Sequence, residues 1–351
     1  MKPVGSLLLI LVLCLSLLSG CGGPRELHDT VEDFVEQTGQ EGGIGYNDVD
    51  YDHPETYTVG GGEITDPVKR VEIDWYGGSV TVGRHEKDTV SFQENAGDTL
   101  PEEFTLRYRV KEGTLSLVYS APGRLKLGNL KKDLTVLLPQ DLALEELEID
   151  TGSAPVTVSD LATREISVDT ASGTVELLGC QVTDRVSVDT GSGNVKAALT
   201  GTLRALSADT ASGDITVTAG EITQVEGDTA SGSIQITADT LGSVETDTAS
   251  GDVEITAQAV DEVEVDAASG SLTLTTDQAP REIQVDTASG QITLNLPETA
   301  SFTATVDTIS GKWRCELPTT MDGDRYTCGS GTGRYSFSTA SGDVTIHTII
   351  L

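Results

Sequence analysis

Aspartate returns along this chain at an almost constant interval. It stands at Asp150, Asp169, Asp189, Asp209, Asp228, Asp247, Asp266, Asp286 and Asp307, in steps of 19 to 21 residues. Carboxylates at a fixed period have two chemistries. Hard cations such as calcium take carboxylate and carbonyl oxygens, so Asp169, Asp189, Asp209, Asp228 and Asp247 are candidate metal ligands if the period lines them up on one edge. Alternatively, each carboxylate accepts hydrogen bonds from the N–H groups of the Thr or Ser that follow it, and so fixes a turn. The second reading is the simpler one. The repeat lacks the Gly-Gly-x-Gly-x-Asp-x-apolar-x pattern of calcium-binding β-rolls, and no metal or other cofactor is expected.

Other reactive residues are sparse. His28, His53, His85 and His347 all lie outside the Asp-bearing segment, and Cys180 inside it has no base near it in sequence. Nucleophilic catalysis needs a nucleophile with a base within hydrogen-bond reach. Paired carboxylates are abundant, but they recur identically, whereas an acid/base pair is a unique exception in its scaffold. Residues 205–280 contain no Lys or Arg to hold an acidic polysaccharide along a groove. A non-enzymatic protein is expected. The balance of 56 Asp+Glu against 22 Lys+Arg, a formal charge of −34, also excludes nucleic acid as partner, since phosphates must be neutralised by cationic side chains.

The elements that position the aspartates follow from the residues around them. Each unit reads apolar-x-apolar-Asp-Thr-Ala-Ser-Gly-x-apolar-x-apolar, as in Val225 to Ile236. Alternation with period 2 predicts two short strands with one buried face, joined by a turn at Ala-Ser-Gly. Gly is expected to supply backbone angles that other residues resist, and the small Ala171, Ala211, Ala230, Ala249 and Ala288 to fill a tight inner corner. One such pair cannot bury its apolar face alone, but stacked pairs can. The expected fold is all-β, a β-solenoid of about ten rungs. A tenth copy follows at Ser338-Thr339-Ala340-Ser341-Gly342, and a degenerate one precedes the array at Val71 to Val82. Between them, Phe104–Val110 and Thr114–Tyr119 read as a hairpin around Lys111-Glu112-Gly113, an N-terminal cap.

The N-terminus bears on location. Lys2 precedes an apolar stretch from Val4 to Leu18, too short to span a bilayer and suited to a signal peptide. Leu18-Ser19-Gly20-Cys21 resembles the bacterial lipobox, which implies cleavage before Cys21 and lipid attachment to its thiol. The mature protein is then extracytoplasmic and held to the bacterial cell membrane by its N-terminal lipid, two or more acyl chains being needed for stable anchoring. The organisation expected is a signal peptide over 1–20, a tether over 21–56 with one short helix around Leu27 to Val35, an N-terminal β region over 57–149, repeats over 150–311 and a closing segment over 312–351. Cys315 and Cys328 are spaced to close a disulfide loop in an oxidising compartment. Seven basic residues (Arg107, Arg109, Lys111, Arg124, Lys126, Lys131 and Lys132) cluster between Leu106 and Lys132. They form either a solvated hairpin face or a surface for anionic lipid.

The units Asp-Thr-Ala-Ser-Gly-Asp-Ile-Thr-Val (209–217) and Asp-Thr-Ala-Ser-Gly-Asp-Val-Glu-Ile (247–255) resemble the bacterial "putative adhesin" family of β-strand-repeat proteins, a domain of unknown function found on cell surfaces. The resemblance covers residues 57–349 and implies architecture rather than any site residue. Two roles remain open. One is a cell-surface interaction protein presenting an acidic rod, or its aromatic C-terminal end, to an unidentified surface ligand. The other is an envelope-stress sensor or decoy that captures cationic antimicrobial peptides.

Overall fold

The computed structural model describes residues 54–122 and 131–349. The signal peptide, Cys21, the tether helix, Arg124 and Lys126 lie outside them. The described chain is all-β, with two short 3-10 turns, Pro54–Thr56 and Glu102–Phe104, as its helical elements. Among the described residues no helix is long and apolar enough to cross a membrane.

Alternation decides the inside. Three residues before each Asp, the side chains of Ile166, Val186, Leu206, Val225, Val244, Val263 and Ile283 are buried. Six and eight after it the same holds, for example at Ile215 and Val217, or Ile234 and Ile236. These side chains form one continuous core running the length of the stack. Fully burying such a side chain stabilises by roughly 1.5–3 kcal/mol. The coils pair in parallel and in register, so one column holds the strands leading into each Asp and a second holds the strands after each corner. Asp209 sits opposite Asp189 on one side and Asp228 on the other.

Spatial order departs from chain order at both ends. At the start, Arg70–Trp75 lies between Thr114–Val118 and Leu144–Thr151, so the first coil is second from the end. Thr114–Val118 therefore belongs to the parallel column as well as to its hairpin with Arg107–Lys111. At the finish, Gly333–Thr339 inserts between Glu282–Thr287 and Phe302–Thr308. Its companion Val344–Ile349 likewise enters between Ile292–Pro297 and Trp313–Cys315. The last coil in sequence thus stacks before the Asp307 coil.

Each inserted coil is tied to both neighbours. Arg84 donates to the carbonyls of Pro139, Gln140 and Leu142 on one side and of Asp160 on the other, at 2.6–2.8 Å. Tyr335 donates its hydroxyl to Pro280 O at 3.1 Å and stacks on Phe302 with ring centroids 4.7 Å apart. Beyond the parallel columns the pairing turns antiparallel. Val90–Asn95 lies on Asp133–Pro139 at one end, and Arg325–Cys328 on Phe302–Thr308 at the other.

The corners are not built as the repeat suggests. Ala171, Ala230 and Ala249 are half-buried, and Ala211 and Ala288 exposed. The residues that fill the corner are Thr and Gly. Thr210, Thr229 and Thr248 are buried. Each accepts the N–H of the glycine three residues on, at 2.8–2.9 Å for Gly213, Gly232 and Gly251. Thr210 and Thr229 also donate to the glycine carbonyl of the preceding coil, Gly193 and Gly213, at 3.3 Å. Gly232 has no left-handed backbone. It is glycine because an added Cβ would run into the carbonyl of Gly213 one coil below.

Candidate functional site

The residue just before each corner threonine faces outward, and this places the aspartates. Asp74, Asp150, Asp169, Asp189, Asp209, Asp228, Asp247, Asp266 and Asp286 form one unbroken register of coil-to-coil neighbours. Ser338 then separates Asp286 from Asp307, a consequence of the inserted last coil. At the other end Asp74 meets Val118.

The turn bonds expected of these carboxylates are made by the threonine hydroxyls instead. The physical reason is the pleat: Asp points away from the corner whose N–H groups need an acceptor, and Thr points into it. Left without those donors, the carboxylates of Asp169, Asp209, Asp228, Asp247 and Asp266 are raised rather than depressed in pKa. Asp228 is pushed up to about 7, by burial first and then by Asp247 and Glu226. Asp247 is pushed up to about 6 by burial and then by Asp266 and Glu245. Asp169, Asp209 and Asp266 move the same way, burial again leading. Asp209 keeps one buried carboxylate oxygen with no hydrogen-bond partner. Among the described residues no group of three or more His, Cys, Asp or Glu is arranged to hold a metal ion.

A second acidic column runs beside the first. Glu226, Glu245 and Glu264 are in register on the same outer face, two residues before Asp228, Asp247 and Asp266. Residues 205–280 contribute no cation, so over these coils the two columns form one acidic flank. The spacing of the aspartates carried the first column. The second was missed because Ser167, Ser187 and Ser207 occupy its place in the coils before it.

The remaining sequence candidates are dispersed. Cys315 and Cys328 are free thiols rather than a disulfide, and the Cys328 thiol donates to Ala300 O at 3.3 Å. Cys180 is buried, and desolvation raises its thiol pKa. Arg109 lies over the Tyr57 ring at 4.6 Å. Lys132, counted with the basic surface stretch, is wholly buried. Its ammonium pairs with Glu94 at 2.5 Å, donates to the carbonyls of Phe104 and Tyr119, and sits over the Tyr119 and Trp75 rings. It is an internal anchor of the N-terminal end, unavailable to lipid. Of the aromatic C-terminal end, Phe302, Tyr335 and Phe337 are buried, leaving Trp313 and Tyr326 half-exposed, with ring centroids 4.8 Å apart.

Comparison with known proteins follows the same repeat. The chain matches the Toastrack DUF4097 family twice, over residues 68–198 and 181–347. No curated protein matches it. Two solved structures are similar at 12% identity. One, described as a putative cell adhesion protein from Clostridium sporogenes, aligns over 82% of this chain and 100% of its own, with a TM-score of 0.20. The other, described as a putative lipid binding protein from Parabacteroides distasonis, aligns over 83% and 97%, with a TM-score of 0.37. With two successive matches running from the first coil to the last, the chain belongs to the Toastrack DUF4097 family.

Proposed function

We propose that this protein is a non-enzymatic, lipid-anchored component of the bacterial cell surface that docks a cationic partner on its acidic flank. The anchor reading rests on the Leu-Ser-Gly-Cys sequence ending at Cys21. The docking reading rests on one observation: Glu226, Glu245 and Glu264 run alongside Asp228, Asp247 and Asp266 with no lysine or arginine among them. Aligned charges of one sign create a field that raises the local concentration of oppositely charged partners and speeds encounter. The chemistry available there is acceptance of charge-assisted hydrogen bonds from Lys and Arg.

A second use of the same flank is capture of cationic antimicrobial peptides: burial first and then neighbouring carboxylates raise the Asp228 and Asp247 pKa values, and a bound cation offsets both by favouring the ionised form. Binding of a Lys-rich peptide to the full-length protein in detergent micelles tests the shared step. Affinity is expected to fall steeply between 50 mM and 500 mM salt, and to drop about tenfold in the triple variant Glu226→Gln, Glu245→Gln, Glu264→Gln. Salt-independent binding, or an unchanged triple variant, removes the flank as the docking surface.

A further inference from the structure

The insertion of the last coil does more than interrupt the aspartate register. It changes the chemistry of the outer face over the final strands. At the position two before Asp, where Glu226, Glu245 and Glu264 stand further down, four adjacent strands present Gln284, Ser336, Thr305 and Arg325 side by side. Two residues earlier on the same strands, Arg334 stands between Glu282 and Thr303. These residues line a groove of about 360 Å³, within the range of roughly 300–1,000 Å³ typical of ligand sites.

The charges in the groove are not equivalent. Arg334 pairs with Glu282 at 2.8 Å, and Arg281 reaches the same carboxylate at 3.3 Å. Arg325 forms no side-chain hydrogen bond or ion pair among the described residues, although it is an exposed guanidinium in a chain of formal charge −34. A guanidinium offers a planar fork of donors that matches a carboxylate in two parallel hydrogen bonds. Beside it, Thr305 and Ser336 supply hydroxyls that both donate and accept, while Gln284 gives its amide N–H groups to Glu264 and Asp286, and Thr303 its hydroxyl proton to Gly331 O, so that these two offer oxygens that accept. Ile283 and Tyr335 contribute to the lining although buried, so a ligand meets polar and apolar surface in nearly equal parts, as the two faces and the rim of a sugar ring do. A row of hydrogen-bonding groups next to one carboxylate fork suits a sugar ring carrying a single acid group. Asp286, Asp266 and Glu264 on the approach from the neighbouring coils repel a polyanion lying along the face.

We infer that this groove binds a terminal acidic sugar. Arg325 takes its carboxylate, and Gln284, Ser336 and Thr305 take its hydroxyls. The inference goes beyond the acidic-flank reading and is independent of it, because the two surfaces select opposite charges.

Titration of the full-length protein in micelles with glucuronate, N-acetylneuraminate, glucose and acetate tests it, read as saturable ligand NMR shifts. At least one acidic sugar is expected to bind about tenfold more tightly than glucose and than acetate. Arg325→Gln should weaken that binding about tenfold, the range for losing a hydrogen bond to a charged group. The thermal midpoint of Arg325→Gln should match wild type, and Glu245→Gln on the flank should leave sugar affinity unchanged. The inference is overturned if neither acidic sugar saturates, if acetate binds as well as the sugars, or if Arg325→Gln binds like wild type while folded.

Discussion

Asp228 and Thr229 are adjacent in sequence, and the pleat sends them to opposite sides of the same corner. On the inner side, Thr229 accepts from Gly232 and donates to Gly213 of the coil below, so its polar atoms are satisfied within the stack. On the outer side, the Asp228 carboxylate lies between Asp209 and Asp247 with its pKa raised. The inner arrangement stabilises each added coil. The outer one opposes it, since carboxylates ~4.8 Å apart repel by ~0.9 kcal/mol per neighbouring pair even at the dielectric of bulk water. A fold that needed only its corners would not keep the outer column. That contrast is the physical reason to seek function on the flank rather than in the core.

The contrast breaks most visibly where a side chain is wholly inside. Ile234→Ala removes a buried core group and is expected to cost ~2–5 kcal/mol. Its exposed neighbour Gln235→Ala should change stability by no more than ~0.5 kcal/mol. Urea midpoints of the two variants check this. Equal losses contradict the division into inner and outer faces.

Much of that division was legible beforehand, because alternation within each unit says which side chains point inward. The corner was not, because the alternation stops there and Ala, Ser and Gly all look suited to a tight bend. The clue was internal. Thr follows Asp at Thr170, Thr190, Thr210, Thr229, Thr248 and Thr287, whereas the next position accepts Gly191 and even Ile309, which is 86% exposed. Stacking order was also hidden. Every coil carries the same pattern, so parallel register allows any coil to sit on any other. Only tertiary ties such as Arg84 and Tyr335 fix the first and last coils one place inward. The candidate groove exists because of that displacement, and the burial of Lys132 depends on contacts from residues as distant as Trp75 and Glu94.

A smaller effect sharpens the inner side, where the chain contains its own variant. At Ala267 the corner threonine is missing, and Gly270 lacks the side-chain acceptor found at Gly251 and Gly290. Thr248→Val keeps the shape at 248 but strips the acceptor from Gly251, and is expected to cost ~1–3 kcal/mol. Ala267→Thr should do the reverse and add ~1 kcal/mol. Urea midpoints moving in opposite directions support the hydroxyl as the corner's organising group. A neutral Thr248→Val would reduce the threonines to space-filling.

The last comparison concerns the outer side and depends on pH. Asp228 and Asp247 have folded-state pKa values of about 7 and about 6, against ~3.9 for an unfolded Asp. Between those limits the folded chain holds protons that the unfolded chain has released. The stability linked to them is therefore fully present at the acid end and is lost as pH rises through about 6 and about 7. Asp184 and Asp343, held low by Arg204 and by the Lys312 N–H, contribute oppositely, but only on acidification below the ordinary carboxylate range. The two windows separate. Full-length protein unfolded in urea should lose midpoint from pH 5 to pH 8, and 0.5 M salt should shrink the loss by screening the column. Asp228→Asn should match wild type only near the unfolded carboxylate range of ~4 and exceed it by a growing margin towards pH 8, because an amide cannot ionise between Asp209 and Asp247. If Asp228→Asn is instead the less stable protein at pH 8, the carboxylate is held by favourable bonds. The outer column is then part of the scaffold, and the functional reading of the flank loses its basis.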